Sequence, residues 1–311
     1  MNTEFEQVKK EKSISKNEFI KEVLADFKLV CLSREASILG RKEVLTGKAK
    51  FGIFGDGKEL AQIAMAKQFK NGDFRSGYYR DQTFMMAIDS LTIRQYFAGL
   101  YAHTDLEHEP ISAGRQMGGH FATRNLNTDG SWKNLMHQEN SSADLSPTAS
   151  QMPRLLGLAM ASKLYRNNNS LSSFKEFSNN GNEVAFGTIG DASTSEGIFW
   201  ETINAAGVLQ IPLAISVWDD GYGISVPKKY QTTKESISKA LAGMQLNDKD
   251  SNGIKIYCVN GWDYPALIST YEEAIEFSRT KHIPVLIHVE NLTQPQGHST
   301  SGSHERYKSK E

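Results

Sequence analysis

The sequence predicts an α/β fold: a mostly parallel, doubly wound sheet with helices on both faces. Two observations carry this expectation. From residue 184 onward, short near-continuous apolar runs alternate with helical patterns. Strands are expected at 184–189, 213–218, 255–259 and 284–290, with helices at 195–207, near 233–243 and at 263–280. Such strands belong to parallel sheets covered on both sides. In addition, two of these runs end in acid, the first at Gly190-Asp191-Ala192 and the second at Asp219-Asp220-Gly221.

The upstream elements follow in order. Residues 1–16 are charged and aperiodic and read as a tail. Ile20, Val23, Leu24, Phe27, Val30 and Cys31 recur at three- and four-residue steps. Residues 17–39 are therefore expected as an amphipathic helix with Asn17 as its cap. A glycine-rich break (Gly47, Gly52, Gly55, Gly57) precedes a helix over 58–69. Thr92-Ile93-Arg94-Gln95 is a capping box opening a helix to about Ala102. Residues 103–145 are polar and read as an ordered loop region, and a loop this long inside a compact domain is usually functional. A helix is expected over 153–165, followed by a Ser/Asn-rich excursion over 167–182. This divides the chain into a tail and helix (1–45) and one α/β domain (46–311). The polar Ser/Gly/Lys stretch soon after the last strand suggests that this domain is incomplete at its C-terminus.

Composition removes several classes of function. A chain of 311 residues with 39% apolar content can bury a large core. Its net charge of −1, without a basic stripe, gives nucleic acid no electrostatic footprint. No apolar run is long enough to span a bilayer, and the polar, acidic N-terminus is not a secretory signal. Cys31 and Cys258, far apart in sequence, read as reduced core thiols in a cytoplasmic protein.

The acid pair carries the chemistry. Asp191 and Asp220 lie 29 positions apart, about one strand-helix-strand unit. They would stand at adjacent strand ends, where an open α/β sheet holds a ligand. Magnesium takes a few carboxylate or carbonyl oxygens plus substrate phosphates. Asp191, Asp220 and the Tyr222 carbonyl are the candidate oxygens, and the helix start after Ala192 would face phosphate. The plainer alternative makes Asp191 a helix cap and Asp219-Asp220-Gly221 a turn. His298, between Gly297 and Ser299, would be a proton carrier for the neutral range. Gly55-Asp56-Gly57 lacks an acidic or Asn partner at matching spacing and reads as a turn before a helix. His120 stays open between a site and a structural role. His103, His108, His137, His282, His288 and His304 read as structural or surface residues.

The span from Gly190-Asp191-Ala192 to Asp219-Asp220-Gly221-Tyr222-Gly223, with 26 residues between Ala192 and Asp219, resembles the thiamine diphosphate signature. Tyr79-Arg80-Asp81, Gly114-Arg115-Gln116-Met117 with His120-Phe121, and Leu145-Ser146-Pro147-Thr148-Ala149-Ser150-Gln151-Met152-Pro153 resemble alpha subunits of branched-chain 2-oxo acid dehydrogenases. So do Val259-Asn260-Gly261-Trp262-Asp263 and Gly297-His298-Ser299-Thr300-Ser301. The resemblance covers roughly residues 50–311. It implies a thiamine diphosphate-binding fold with thiamine diphosphate and Mg2+ as cofactors. Asp191, Asp220 and Tyr222 would hold the metal. Tyr79, Arg80, Gly190, Ala192 and Ser193 would contact the diphosphate, Ser146 and Thr148 would face the aminopyrimidine ring, and His298 would stand near the reactive carbon. Leu145, Pro147, Ser150 and Gln151 resemble a K+-binding loop, and Ser299 and Ser301 occupy positions that are phosphorylated in mitochondrial relatives.

The implied activity is oxidative decarboxylation of a branched-chain 2-oxo acid, with pyruvate or acetoin as alternatives. The acyl unit would pass to a lipoyl-bearing acyltransferase component. The family's activating glutamate comes from a beta subunit or fused beta portion, so this chain alone is expected to be inactive. Three departures stand out. Ala192 replaces a glycine, Asp219-Asp220 replaces Asn-Asn, and Trp218 replaces a phosphate-contacting arginine. The last two make the expected site too negative for Arg80 to offset, so either another cation completes it or cofactor affinity is reduced. Two rival readings follow, a non-catalytic scaffold of the same fold and a magnesium-dependent phosphohydrolase.

Overall fold

The computed structural model describes residues 15–300 and 304–308. Most of the expected tail, and Ser301, lie outside the described residues.

The chain opens with α1 (Lys16–Leu45), longer than expected and capped by Ser15 rather than Asn17. Ser15 Oγ accepts from Glu18 N, and the Glu18 carboxylate accepts from Ser15 N. This reciprocal box requires a Glu or Gln three residues after the cap, and Asn17 would place Ile20 there. Then come α2 (Glu59–Ala66), β1 (Phe74–Ser76), α3 (Gln82–Ala87) and α4 (Ile93–Leu100), the last opened by the expected Thr92–Gln95 box. Residues 103–139 are largely irregular. The chain continues through β2 (Asn140–Ser141), α5 (Gln151–Asn167), β3 (Ala185–Gly190), α6 (Gly197–Leu209) and β4 (Leu213–Trp218). A small hairpin pairs β5 (Tyr222–Gly223) with β6 (Val226–Pro227). The helix expected near 233–243 is only α7 (Ile237–Ala240), flanked by 3-10 turns. β7 (Lys255–Asn260), α8 (Tyr264–Lys281) and β8 (Val285–Glu290) complete the order.

Six strands form one sheet in the order β2-β1-β3-β4-β8-β7, and every pairing is parallel. Alternate strand residues feed two separate cores. Ala185, Ile215 and Leu286 pack with Leu155 and Ala159 of α5 and Phe199 and Ile203 of α6. Phe186, Ala214, Val285 and Ile287 pack with Met65, Phe84 and Leu267 of α2, α3 and α8. The doubly wound expectation is met. Gly187 lets α5 lie close to β3, because a methyl group there would collide with Leu155.

β1 and β2 were not expected. They are three and two residues long and carry Arg75, Asn140 and Ser141, so no apolar run marks them. β1 nevertheless sits inside the sheet, between β2 and β3. The strand order reverses on either side of β1, because the chain runs from β1 out to β2 and then back across to β3. It reverses again where β8 inserts between β4 and β7. Ligands of open α/β sheets bind beyond the strand carboxyl ends at such reversals.

α1 departs from its expectation. Its predicted apolar face is turned outward, with Ile20, Leu24 and Phe27 exposed at 44%, 60% and 64%. The face against the body is small and polar: Ser33, Ala36, Ser37, Gly40 and Arg41 are buried. Ser33 Oγ meets Thr83 Oγ1 at 2.7 Å, Gln82 donates to Ser37 Oγ at 2.7 Å, and Arg34 forms a two-pronged pair with Glu59. Among the described residues, no helix is long and apolar enough to cross a membrane.

Candidate functional site

A cavity of about 230 Å³ opens at the carboxyl ends of β1, β3, β4 and β8. Tyr79 and Arg80 reach it from the turn after β1. Gly190, Asp191, Ala192 and Ser193 reach it from the end of β3, and Asp220 and Tyr222 from the end of β4. Thr148 and His298 reach it from loops. Ser146, Leu145, Pro147, Ser150 and Gln151 do not line it. Ser146 Oγ lies 2.8 Å from His120 Nε2, whose Nδ1 faces the Met117 carbonyl. The Met117 carbonyl only accepts, so Nδ1 donates, and in that tautomer Ser146 donates to Nε2. Ser150 Oγ donates to the Pro147 carbonyl, and the Gln151 amide donates to the Thr188 carbonyl.

The turn after β1 is held by a buried ion network. Arg75 bridges Asp81 at 2.6 Å and Asp144 at 2.9 Å, all three shielded from water. Asp81 also accepts from Tyr78 N and Thr188 Oγ1. Burial opposes the Arg75 charge, yet Asp144 and Asp81 hold the guanidinium above its ordinary value. Arg80 is buried too, and its terminal nitrogens donate to the Phe54 and His298 carbonyls.

Asp191 does not cap the 3-10 turn Ala192–Ser195. Its Oδ2 is buried without a hydrogen-bond partner. Burial first, then the charges of Asp220 and Asp219, push its carboxyl well above the usual range. Ala192 takes the right-handed backbone of that turn, so losing glycine there costs nothing conformationally.

The two acids of the 219–220 turn separate. Asp219 turns away from the cavity and accepts from Lys228 Nζ at 2.8 Å and His288 Nε2 at 3.0 Å. Burial opposes its ionisation, but these donors hold it below the usual carboxylate range. Asp220 faces the cavity and accepts from Lys58 Nζ at 2.8 Å. Burial works against its charge as well, and Lys58 holds it low. The expectation that both acids burden the site is therefore corrected. Asp219 is neutralised elsewhere, and Asp220 has a cation supplied by this chain.

Lys58 was missed because a lysine before a helix looks like an ordinary solvated start. It is 1% exposed, and it donates also to the Thr293 carbonyl and Gln294 Oε1, both at 3.0 Å. Gly57, at φ +94°, lets this turn press against Thr293, where a methyl group would collide with the Thr293 carbonyl. The Gly55-Asp56-Gly57 turn thus precedes a helix as expected, and it also delivers Lys58. Gln231, Tyr78 and Lys308 are further lining residues that no sequence pattern flagged. Lys308 Nζ lies 4.7 Å above the Tyr222 ring and donates to the Gln294 carbonyl.

His298 lines the cavity as expected, without the ordinary imidazole environment. Burial, then the nearby Arg80 charge, lowers it to about 4, so the ring is neutral at physiological pH. It is suited to accept or give a hydrogen bond there, not to cycle a proton near neutrality. His288, read as structural, pairs across parallel strands with Cys258 and bonds to Asp219. It is buried in the sheet, away from the cavity.

The parallel sheet gathers carboxylates and unpartnered donors at its switch points, where open α/β sheets hold ligands. Residues 28–311 match the family model of the dehydrogenase E1 component, and the chain belongs to that family. It is 29% identical over 244 residues to the 2-oxoisovalerate dehydrogenase subunit alpha of Bacillus subtilis, covering 78% of this chain and 62% of that one. The mitochondrial alpha subunits of Caenorhabditis elegans and Homo sapiens are 26% and 25% identical over 264 residues. These matches cover 85% of this chain and 52% and 50% of theirs. The chain thus spans about half to three-fifths of the length of these relatives. The family implies thiamine diphosphate, and the cavity fits that group. Asp191 Oδ2 and Gln231 Oε1 are unused acceptors, and Tyr78 Oη and Trp218 Nε1 lack partners, all on cavity-lining side chains.

Proposed function

We propose that the chain is the alpha-type portion of the decarboxylating component of a 2-oxo acid dehydrogenase, acting on branched-chain 2-oxo acids. The observation that carries this reading is the set of four unpartnered buried polar atoms around one cavity at the sheet's switch points. Asp191, Asp220 and the Tyr222 carbonyl would hold Mg2+, and Tyr78, Tyr79 and Ser193 would orient the diphosphate. Thiamine diphosphate, when bound, supplies the carbanion chemistry of decarboxylation. His298, neutral beside Tyr79, would hold a hydrogen bond next to the reacting centre without adding charge. The substrate class is supported by the motifs at 114–121 and 297–301 and by the relatives' names. A beta portion, separate or fused, would complete the site, and a lipoyl-bearing acyltransferase would take the acyl group. K+ at the 145–151 turn and a cytoplasmic location belong to the same reading, the latter supported by two free cysteines, which are exposed rather than in the core as expected.

Calorimetric titration with thiamine diphosphate and Mg2+, with the beta portion present, tests this reading. Saturable binding is expected, and Asp191→Asn should abolish it without lowering the melting temperature, since Oδ2 has no partner to lose. The scaffold reading draws on one observation: the Lys58 ammonium already sits on Asp220, the intended metal ligand. No binding at millimolar cofactor would favour that scaffold. Decarboxylation by this chain unaided would refute the need for a beta portion.

A further inference from the structure

Lys58 sits on a cavity wall where charge has to be balanced, and its ammonium has no N–H to spare. One of its three hydrogen bonds goes to a charged acceptor, Asp220 Oδ2, and two go to neutral ones, the Thr293 carbonyl and Gln294 Oε1. Across the cavity, Asp191 keeps a buried oxygen unpartnered. On β4, Trp218 is fully buried, and its indole N–H also lacks an acceptor. The strand itself therefore offers no cation to the cavity; Lys228 is engaged by Asp219, and Arg80 and Lys308 act on Asp220 by charge without a hydrogen bond to it. The cation comes instead from the turn before α2, held by two neutral acceptors that do not depend on Asp220.

Resting on the reading of this cavity as a diphosphate and magnesium site, we propose that Lys58 and Asp220 form a charge-exchange pair. In the unliganded protein the ammonium neutralises Asp220. On loading, a divalent cation takes Asp220, and the ammonium turns its third N–H to a diphosphate oxygen while Thr293 and Gln294 keep hold of the other two. Lys58 is thus a cofactor-positioning residue. It supplies the phosphate-side charge that Trp218 cannot, with the Trp218 N–H as a neutral second donor. A consequence follows for the order of binding. Metal alone must displace an ammonium from Asp220 and leave it buried without a counter-charge, so metal and anion enter as a unit.

The test compares the full chain with its Lys58→Gln, Asp220→Asn and doubly substituted forms. Melting temperatures are measured without ligand, with Mg2+ alone, and with Mg2+ and thiamine diphosphate. Affinities come from calorimetry on the chain assembled with its beta portion. Each single substitution should lower the unliganded melting temperature, and the double substitution should recover most of the loss. Mg2+ alone should leave the parent unmoved but raise the melting temperature of K58Q, whose Asp220 is free. K58Q should lose about 10- to 100-fold in thiamine diphosphate affinity, the worth of one charge-assisted hydrogen bond. If K58Q alone does not fold, the double form carries the test, since it must fold and must bind weakly. Additive melting losses, or K58Q binding thiamine diphosphate as tightly as the parent, would sink the exchange pair and leave the proposed function standing. No binding by the parent would overturn both.

Discussion

Asp219 and Asp220 are sequence neighbours with opposite duties, and backbone direction at the end of β4 decides which is which. Asp219 belongs to a triad with the buried His288 and the half-buried Lys228. Burial opposes the His288 charge, but the hydrogen bonds with Asp219 and Cys258 and the Asp219 charge raise it to about 9. The folded protein therefore keeps a proton that the unfolded chain releases above about 6.5. That stabilisation is complete below about 6.5 and is lost as pH rises through about 9. The urea midpoint should fall between about pH 6.5 and 9, and His288→Gln should flatten that slope; an unchanged slope in the variant would refute the pairing. His298 acts in the opposite window, since its lowered value makes stability fade as pH drops from about 6.5 toward 4. The acids were legible in the sequence because each ends an apolar run. Lys58 and His288 were not, because their roles depend on partners 162 and 69 positions away.

The strands legible in the sequence carry near-continuous apolar runs, buried in β3, β4 and β8 and half-buried in the edge strand β7. β3, β4, β7 and β8 announced themselves, β4 with its exact limits. β1 did not, because its central side chain is the buried Arg75, whose burial is matched by carboxylates instead of hydrocarbon. The same ion network fixes the turn carrying Tyr78, Tyr79 and Arg80 between β1 and α3. Arg75→Met would leave Asp81 and Asp144 buried and unpaired, a loss of about 3–5 kcal/mol. Chemical denaturation should show it, and a change below about 1 kcal/mol would mean that the network is not essential to the fold. The α1 error has the converse origin. Its periodicity was real, but the body-facing side is built for hydrogen bonds to α3 and an ion pair to α2.

At the scale of the molecule, the outward stripe of Ile20, Leu24 and Phe27 is apolar surface of the kind that marks an assembly face. It fits a chain whose site is proposed to be completed by another polypeptide. Replacing Leu24 and Phe27 by Glu should leave the chain's own melting temperature nearly unchanged, because neither side chain is in the core. Mixed with the beta portion proposed as its partner, the variant should sediment as a smaller species than the parent in analytical ultracentrifugation. Equal sedimentation would remove α1 from the assembly surface.

The stretch after β8 leaves the sheet and is tied to the chain's early turn. Thr293 N donates to the Gly57 carbonyl, Thr300 N to the Gly52 carbonyl, and Gln294 to Asp56, while Arg41 reaches the Gln296 and Ser299 carbonyls. None of these bonds belongs to the six-stranded sheet. A single protease nick near Asn291 would therefore spare the sheet and leave Thr293, Gln294 and His298, with both neutral acceptors of Lys58, held by these ties alone. If the cavity takes the ligand proposed for it, susceptibility to that nick should fall on loading, because Gln294 and His298 line the cavity and the ligand would add contacts beyond the backbone ties.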